Sequence, residues 1–201
     1  AQTQALKTRQ VLAGYPQPQI GILKQMRKAG LASVVGYGNA YEGLWLNEAA
    51  WPLDDPAVRK ALLYATDRKA IADQILAPSI GEARVLQSFI VPTFPSLYDP
   101  AFQQYAADPA ALESVMTGAG WRRGRGGVWE KNGRRAELEA FTTAGNENRA
   151  LLLQVWQSQL EAAGFDLNLR YQSPDVLFGK SLPKGTYGIA LFTSISTPDP
   201  G

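Results

Sequence analysis

Segments that alternate apolar and polar residues interleave with segments of helical spacing along the whole of this 201-residue chain, and that interleaving restricts the fold more than any other feature. The clearest run is Ala136 to Phe141, then about Asn146 to Ala163, then Phe165 to Tyr171. In the first segment Ala136, Leu138 and Ala140 alternate with Glu137, Glu139 and Phe141, as on a strand. In the second, Leu152, Val155, Trp156 and Leu160 form one helical stripe, closed by Gly164 as a left-handed cap requires. The third alternates again. This order predicts an α/β fold with a mixed sheet flanked by helices.

The remaining elements follow from punctuation. A turn-rich stretch from Gly14 to Gln19 precedes Ile20 to Ala29, with Ile22, Leu23 and Met26 on one helical face. Leu31 to Val35 predicts a short strand. Tyr41 to Asn47 predicts another, with Tyr41, Gly43, Trp45 and Asn47 on one face and Leu44 and Leu46 on the other. Asp54-Asp55-Pro56 opens a helix, because aspartate accepts from unpaired first-turn amides and proline has no N–H to waste there. Val58, Ala61, Leu62 and Ala65 recur at its inner spacing. Thr66 or Asp67 caps the next helix, with Ile71, Ile75 and Leu76 inward and a break at Ala77-Pro78. Residues 79–100 hold Pro92, Pro95, Pro100, Phe89, Phe94 and Tyr98, an irregular segment that packs its own aromatics. Asp108-Pro109 caps a helix through Leu112, Val115 and Met116 to Gly118-Ala119-Gly120. Val128 to Lys131 and Arg134 to Phe141 predict a hairpin, with Asn132-Gly133 as its two-residue turn. Ser173-Pro174 starts a short helix through Val176, Leu177 and Phe178, and Tyr187 to Thr193 is the last strand.

Composition removes whole classes of chemistry. Without histidine or cysteine there is no zinc finger, no thiol nucleophile, no disulfide framework and no Ser-His-Asp triad. No cofactor or metal is implied. Twenty Lys+Arg against 18 Asp+Glu leave a formal charge of +2, too little for a nucleic-acid footprint. No run reaches the ~18 apolar residues of a membrane helix. No basic segment followed by an apolar one marks a signal peptide, and both ends read as cut. The expectation is a single domain over residues 1–201, excised from a longer protein.

The basic segment Arg122 to Arg125 reads either as a phosphate contact with Trp121 and Trp129 as stacking platforms, or as a solvated turn. The turn is favoured because no second basic cluster extends it. Gly36-Tyr37-Gly38 and Gly124 to Gly127 lack the strand-to-helix setting of a phosphate loop. Asp54 and Asp55 serve capping, and Glu137 and Glu139 an exposed strand face. An enzyme reading would rest on carboxylates such as Asp175 or Glu147. The aromatic residues read as core or interface anchors, with an aromatic-lined cleft as the alternative.

Tyr41 to Asn47 followed by Asp54-Asp55-Pro56-Ala57-Val58-Arg59-Lys60-Ala61-Leu62-Leu63-Tyr64-Ala65-Thr66-Asp67-Arg68 resembles the family 5 extracellular solute-binding proteins of ABC importers, the peptide and nickel receptor group. Further matches follow in order: Tyr98-Asp99-Pro100, Ala111-Leu112 to Gly118-Ala119-Gly120-Trp121, Val128 to Gly133, Leu151 to Gly164-Phe165, and Asp199-Pro200. The resemblance implies a structural role for Val58, Ala61 and Leu62, an acidic partner for Arg59 and a capping role for Asp67. It further implies the C-terminal lobe of a two-lobe periplasmic-binding-protein type II fold, without its N-terminal lobe. The implied function is non-enzymatic capture of a peptide or other small solute for ABC permease subunits. The implied location is the extracellular face of the cell envelope, periplasmic or lipoprotein-anchored.

By the same resemblance, ligand contacts fall on Thr142, Thr143 and Asn146, and on Thr193, Ser194 and Ser196 after the last strand. Here the chain departs from its relatives. The acid that peptide receptors use for the α-amino group matches Ser196, the Trp that relatives carry near the start of that segment matches Thr193, and the acid before the last strand matches Gly188. The loop from Thr142 to Asn146 lacks the Arg that meets a peptide carboxylate, and Arg149 stands further into the helix. These changes count against a dipeptide, and the missing histidine against nickel. A longer peptide held by its backbone and an uncharged solute such as a sugar stay open.

Overall fold

A computed structural model of the chain describes residues 2–15 and 21–197. The predicted turn at 16–19, Ile20 and the Asp199-Pro200 match lie outside the described residues. The elements in order are α1 (Gln2–Lys7), α2 (Ile22–Lys28), β1 (Ala40–Leu46), α3 (Pro56–Ala65), α4 (Arg68–Ile75), α5 (Ala77–Ile80), α6 (Pro109–Gly118), β2 (Arg122–Arg123), β3 (Trp129–Lys131), β4 (Arg134–Arg135), β5 (Glu137–Thr143), α7 (Glu147–Ala162), β6 (Asp166–Gln172), α8 (Pro174–Val176) and β7 (Ile189–Ile195).

Four strands form a mixed sheet in the order β1-β7-β5-β6. β5 is parallel to β6 and to β7, while β1 runs antiparallel to β7. β2, β3 and β4 form a separate antiparallel sheet. Its β3–β4 turn is the expected Asn132-Gly133, with φ of 53° and 75°. The run from Arg134 therefore divides: β4 stays in the small sheet and β5 enters the large one.

The core lies between the large sheet and α3, α4, α6 and α7. Leu138 and Ala140 of β5, Leu167 of β6 and Ile189 and Leu191 of β7 meet Val58, Ala61, Leu62, Ile71, Ile75, Leu112, Met116, Leu153, Trp156 and Leu160. Capping holds the helix starts. Asp55, Asp67, Asp108 and Asn146 each accept from first-turn amides of α3, α4, α6 and α7. Between the two residues proposed for the α4 cap, Asp67 takes it. The Thr66 hydroxyl instead donates to the Leu62 carbonyl at 2.6 Å and accepts from the buried Trp156 indole at 2.8 Å.

Four expectations are corrected. Residues 31–35 form no strand. Val34 is 97% exposed, and without a neighbouring strand its β-branched side chains have no ladder to join. Leu76 points outward, since it follows the end of α4, while Ile71 and Ile75 are buried as expected. The centre of the α7 stripe is Leu153, with Leu152 and Val155 at its margins. The chain does not simply break at Ala77-Pro78: α5 begins there, with Pro78 in the first turn, where it costs no hydrogen bond.

Arg68 organises the irregular segment after α5. Its guanidinium donates to the carbonyls of Leu86 and Phe102 at 3.0 and 2.9 Å and to the Gln87 side chain at 3.0 Å. Burial pulls its pKa below the usual arginine value. In the same segment Phe89 stacks on Trp45 of β1, and Trp45 in turn on Phe192 of β7. Phe178, in the helical turn after α8, meets Phe192 edge-on, continuing an aromatic row on the sheet face opposite α3, α4, α6 and α7.

Candidate functional site

Three parallel strands end on one edge of the sheet, and β5 and β7 are neighbours that are not consecutive in sequence. Such a discontinuity at strand carboxyl ends leaves room between the outgoing loops. β1 begins at the same edge, since Glu42 lies opposite Thr193.

Thr143, the last residue of β5, accepts at Oγ1 from Nη1 of Arg149 at 2.9 Å. Asn146 caps α7, its side-chain oxygen accepting from the Arg149 amide at 3.1 Å. That cap fixes the first turn, so Arg149 reaches back over the strand ends. Its Nη2 donates to Thr193 Oγ1 at 2.7 Å. Its Nε lies 3.1 Å from both carboxylate oxygens of Glu42, and Nη2 lies 3.0 Å from Oε1. Thr193 completes the ring by donating to Glu42 Oε1 at 2.7 Å. A bidentate, charge-assisted pair of this kind is more directional than an ordinary surface pair.

The structure brings Thr143, Asn146 and Thr193 together around Arg149. Thr193 and Ser194, expected to follow the last strand, lie within β7, which runs on to Ile195 because it pairs there with Glu42 and Tyr41 of β1; Ser194 is half-buried. Thr142 has no exposed surface, and its hydroxyl donates to the Leu191 carbonyl at 2.9 Å. Ser196 is buried: its amide donates to the Asn39 carbonyl at 2.7 Å, and its hydroxyl accepts from the Val91 amide at 3.4 Å. Thr142 and Ser196 thus brace the rim from beneath.

Sequence reasoning passed over Glu42 and set Arg149 aside. A signal existed for each. Glu42 is a charged residue on the strand face that otherwise carries Leu44 and Leu46. Arg149 stands three residues after a capping Asn, on the turn nearest the strand ends.

Other charged groups are engaged elsewhere. Arg122 pairs with Glu130 at 3.1 Å, and Arg123 with Glu113 at 2.9 Å while lying over the Trp129 ring. Arg59 pairs with Glu48 at 3.5 Å, the acidic partner its motif implied. Asp175 and Glu147 are exposed in the first turns of α8 and α7. Among the described residues no group of three acidic side chains gathers to hold a metal, and no helix is long and apolar enough to cross a membrane. An open concavity of about 770 Å³ lies at the opposite sheet edge, between Trp51, Arg135, Glu139 and Arg170. Arg170 and Glu139 pair at 2.7 Å on its wall.

Residues 1–201 match the sequence model of the family described as bacterial extracellular solute-binding proteins, family 5 Middle. The chain superposes with a TM-score of 0.82 on the oligopeptide-binding protein AppA from Bacillus subtilis in complex with a nonapeptide, at 21% identity over 99% of this chain and 39% of that one. It is 33% identical over 111 residues to the dipeptide-binding protein of Escherichia coli (strain K12), covering 55% of this chain and 20% of that protein. It is 24% identical over 156 residues to the nickel-binding periplasmic protein of the same organism, covering 77% of this chain and 29% of that protein. The chain therefore spans less than a third of the length of these curated relatives.

Proposed function

Because this chain belongs to the bacterial extracellular solute-binding proteins, family 5, we propose that it is one lobe of the substrate-binding component of an ABC importer. The lobe is the C-terminal one of a two-lobe receptor, and it closes over solute against the rest of the chain. The receptor works on the outer face of the cell envelope, delivers its solute to permease subunits and converts nothing. The solute is a peptide or another small molecule, as in relatives named for oligopeptide, dipeptide and nickel binding.

The observation that carries this reading is the convergence of Thr143, Asn146, Arg149, Thr193 and Glu42 at the carboxyl ends of β5 and β7. Hydroxyl and amide groups held there can donate and accept toward a solute. Ser194 lies on the same rim, and Thr142 and Ser196 hold it in shape. An enzyme reading through Asp175 or Glu147 lacks such convergence, since each carboxylate stands exposed at its own helix start.

The test is native mass spectrometry and calorimetry on the full-length receptor. A co-purified solute that rebinds at one per protein, with no product after prolonged incubation, is the expected result. Turnover of the solute would replace this reading with the enzymatic one.

A further inference from the structure

The receptor reading does not say which chemical groups the rim accepts, and the Arg149–Glu42 pair bears on that directly. Arg149 makes hydrogen bonds to residues of three strands: Glu42 of β1, Thr143 of β5 and Thr193 of β7. The guanidinium is thereby used on Nε and on both terminal nitrogens. Its side chain is 13% exposed, against 37% for Glu42. The positive charge sits inside and the carboxylate faces out. Glu42 Oε1 accepts from Arg149 and from Thr193, whereas Oε2 accepts only at 3.1 Å from Nε among the bonds described. An ionised carboxylate oxygen has about two acceptor sites, so Oε2 keeps accepting capacity on this partly exposed side chain.

We infer that Glu42 is a specificity-determining residue of this rim: it masks Arg149 from anionic groups and presents an acceptor to a cationic or N–H donor group of the solute. The inference rests on the reading of the rim as the solute site. A solute carboxylate reaching Arg149 would have to displace a partner already fixed by its strand and by Thr193. It would also sit beside the displaced Glu42, a like-charge contact that disfavours binding. An ammonium or amide group meets Oε2 with neither cost.

The experiment compares wild type and Glu42→Gln in the full-length receptor by calorimetry with two probes. Trialanine amide carries a cation and no carboxylate; N-acetyl-trialanine carries a carboxylate and no cation. Wild type is expected to prefer the amide by at least ~10-fold, and Glu42→Gln to gain ~10-fold for the acetylated probe as Arg149 is unmasked. Adding Arg149→Gln to Glu42→Gln should abolish that gain. An unchanged preference in Glu42→Gln overturns the inference and leaves the receptor reading intact. A wild-type receptor that binds neither probe overturns both the inference and the peptide form of that reading. Should Glu42→Gln fail to fold, wild type still decides, because equal affinity for the probes or preference for the anionic one overturns the inference.

Discussion

One carboxylate at Asp55 joins three parts of the molecule. It caps α3 through the Ala57 amide at 2.9 Å, accepts from the Trp121 indole at 2.9 Å and pairs with Lys131 at 2.8 Å. Burial by itself would raise its pKa, but the bonds from Lys131, Trp121 and Ala57 together with the Lys131 charge outweigh it, and the net shift is downward from 3.8. A depressed folded pKa means stability that is complete above 3.8 and lost as pH falls through the lower folded value. Asparagine keeps the cap but not the charge. Asp55→Asn should therefore cost about 1–2 kcal/mol at neutral pH. Thermal melts across pH should show its deficit closing on acidification below 3.8; a pH-independent deficit would assign the loss to packing. Thr66→Val should cost about 1–3 kcal/mol, because the buried Trp156 indole loses its acceptor. Denaturant unfolding checks it, and a neutral result would mean that water replaces the hydroxyl. The capping half of Asp55 was legible in the sequence, since Asp-Pro at a helix start is a local signal. Trp121 and Lys131 are 66 and 76 residues away, and no local pattern announces them.

Elements were legible where their two ends were chemically marked. α3, α6 and α7 each begin at an Asp or Asn whose side chain holds the first turn, and α7 closes at Gly164. Residues 31–35 offered only β-branched content, and that does not make a strand without an adjacent ladder. Leu153 replaced Leu152 at the centre of α7 because the stripe's orientation depends on how the helix settles on β5 and β6. Two turn glycines give a prediction about how elements join. Gly133 has φ of 75° with nothing within 4 Å of a would-be Cβ. Gly164 has φ of 88°, and there a Cβ would lie 2.7 Å from the Gly127 carbonyl oxygen. Gly133→Ala should therefore cost only the left-handed penalty, about 1–2 kcal/mol. Gly164→Ala should cost clearly more, because it forces α7 away from the small sheet that Arg123 ties to the Ala163 carbonyl at 2.9 Å. Chemical denaturation of the two variants side by side checks the ranking, and equal losses would show that the small sheet yields freely.

At the scale of the whole molecule, the rim is an assembly of distant residues. Glu42 and Arg149 are 107 positions apart, and Thr193 a further 44 beyond Arg149. The resemblance pointed to residues around the ends of β5 and β7 but not to the charged pair beside them, because their contact exists only once β1 adds to the sheet edge beside β7. The same geometry has a consequence for affinity. The rim is one open edge of a sheet, and Glu42 still has 37% of its side chain exposed. A solute at the proposed rim would be covered from one side only, whereas tight small-molecule sites bury most of the ligand surface. In the proposed two-lobe receptor, closure would supply the rest. The present chain has a core of its own, with Trp121, Trp129, Trp156 and Phe165 fully buried, and should melt cooperatively in isolation. Its affinity for the solute that co-purifies with the full-length receptor should nevertheless fall by at least ~100-fold, about 2.8 kcal/mol. Calorimetry on the two proteins under the same conditions measures the difference. Affinity retained by the isolated chain would mean that this edge holds the whole site and that closure contributes capture rate rather than binding energy.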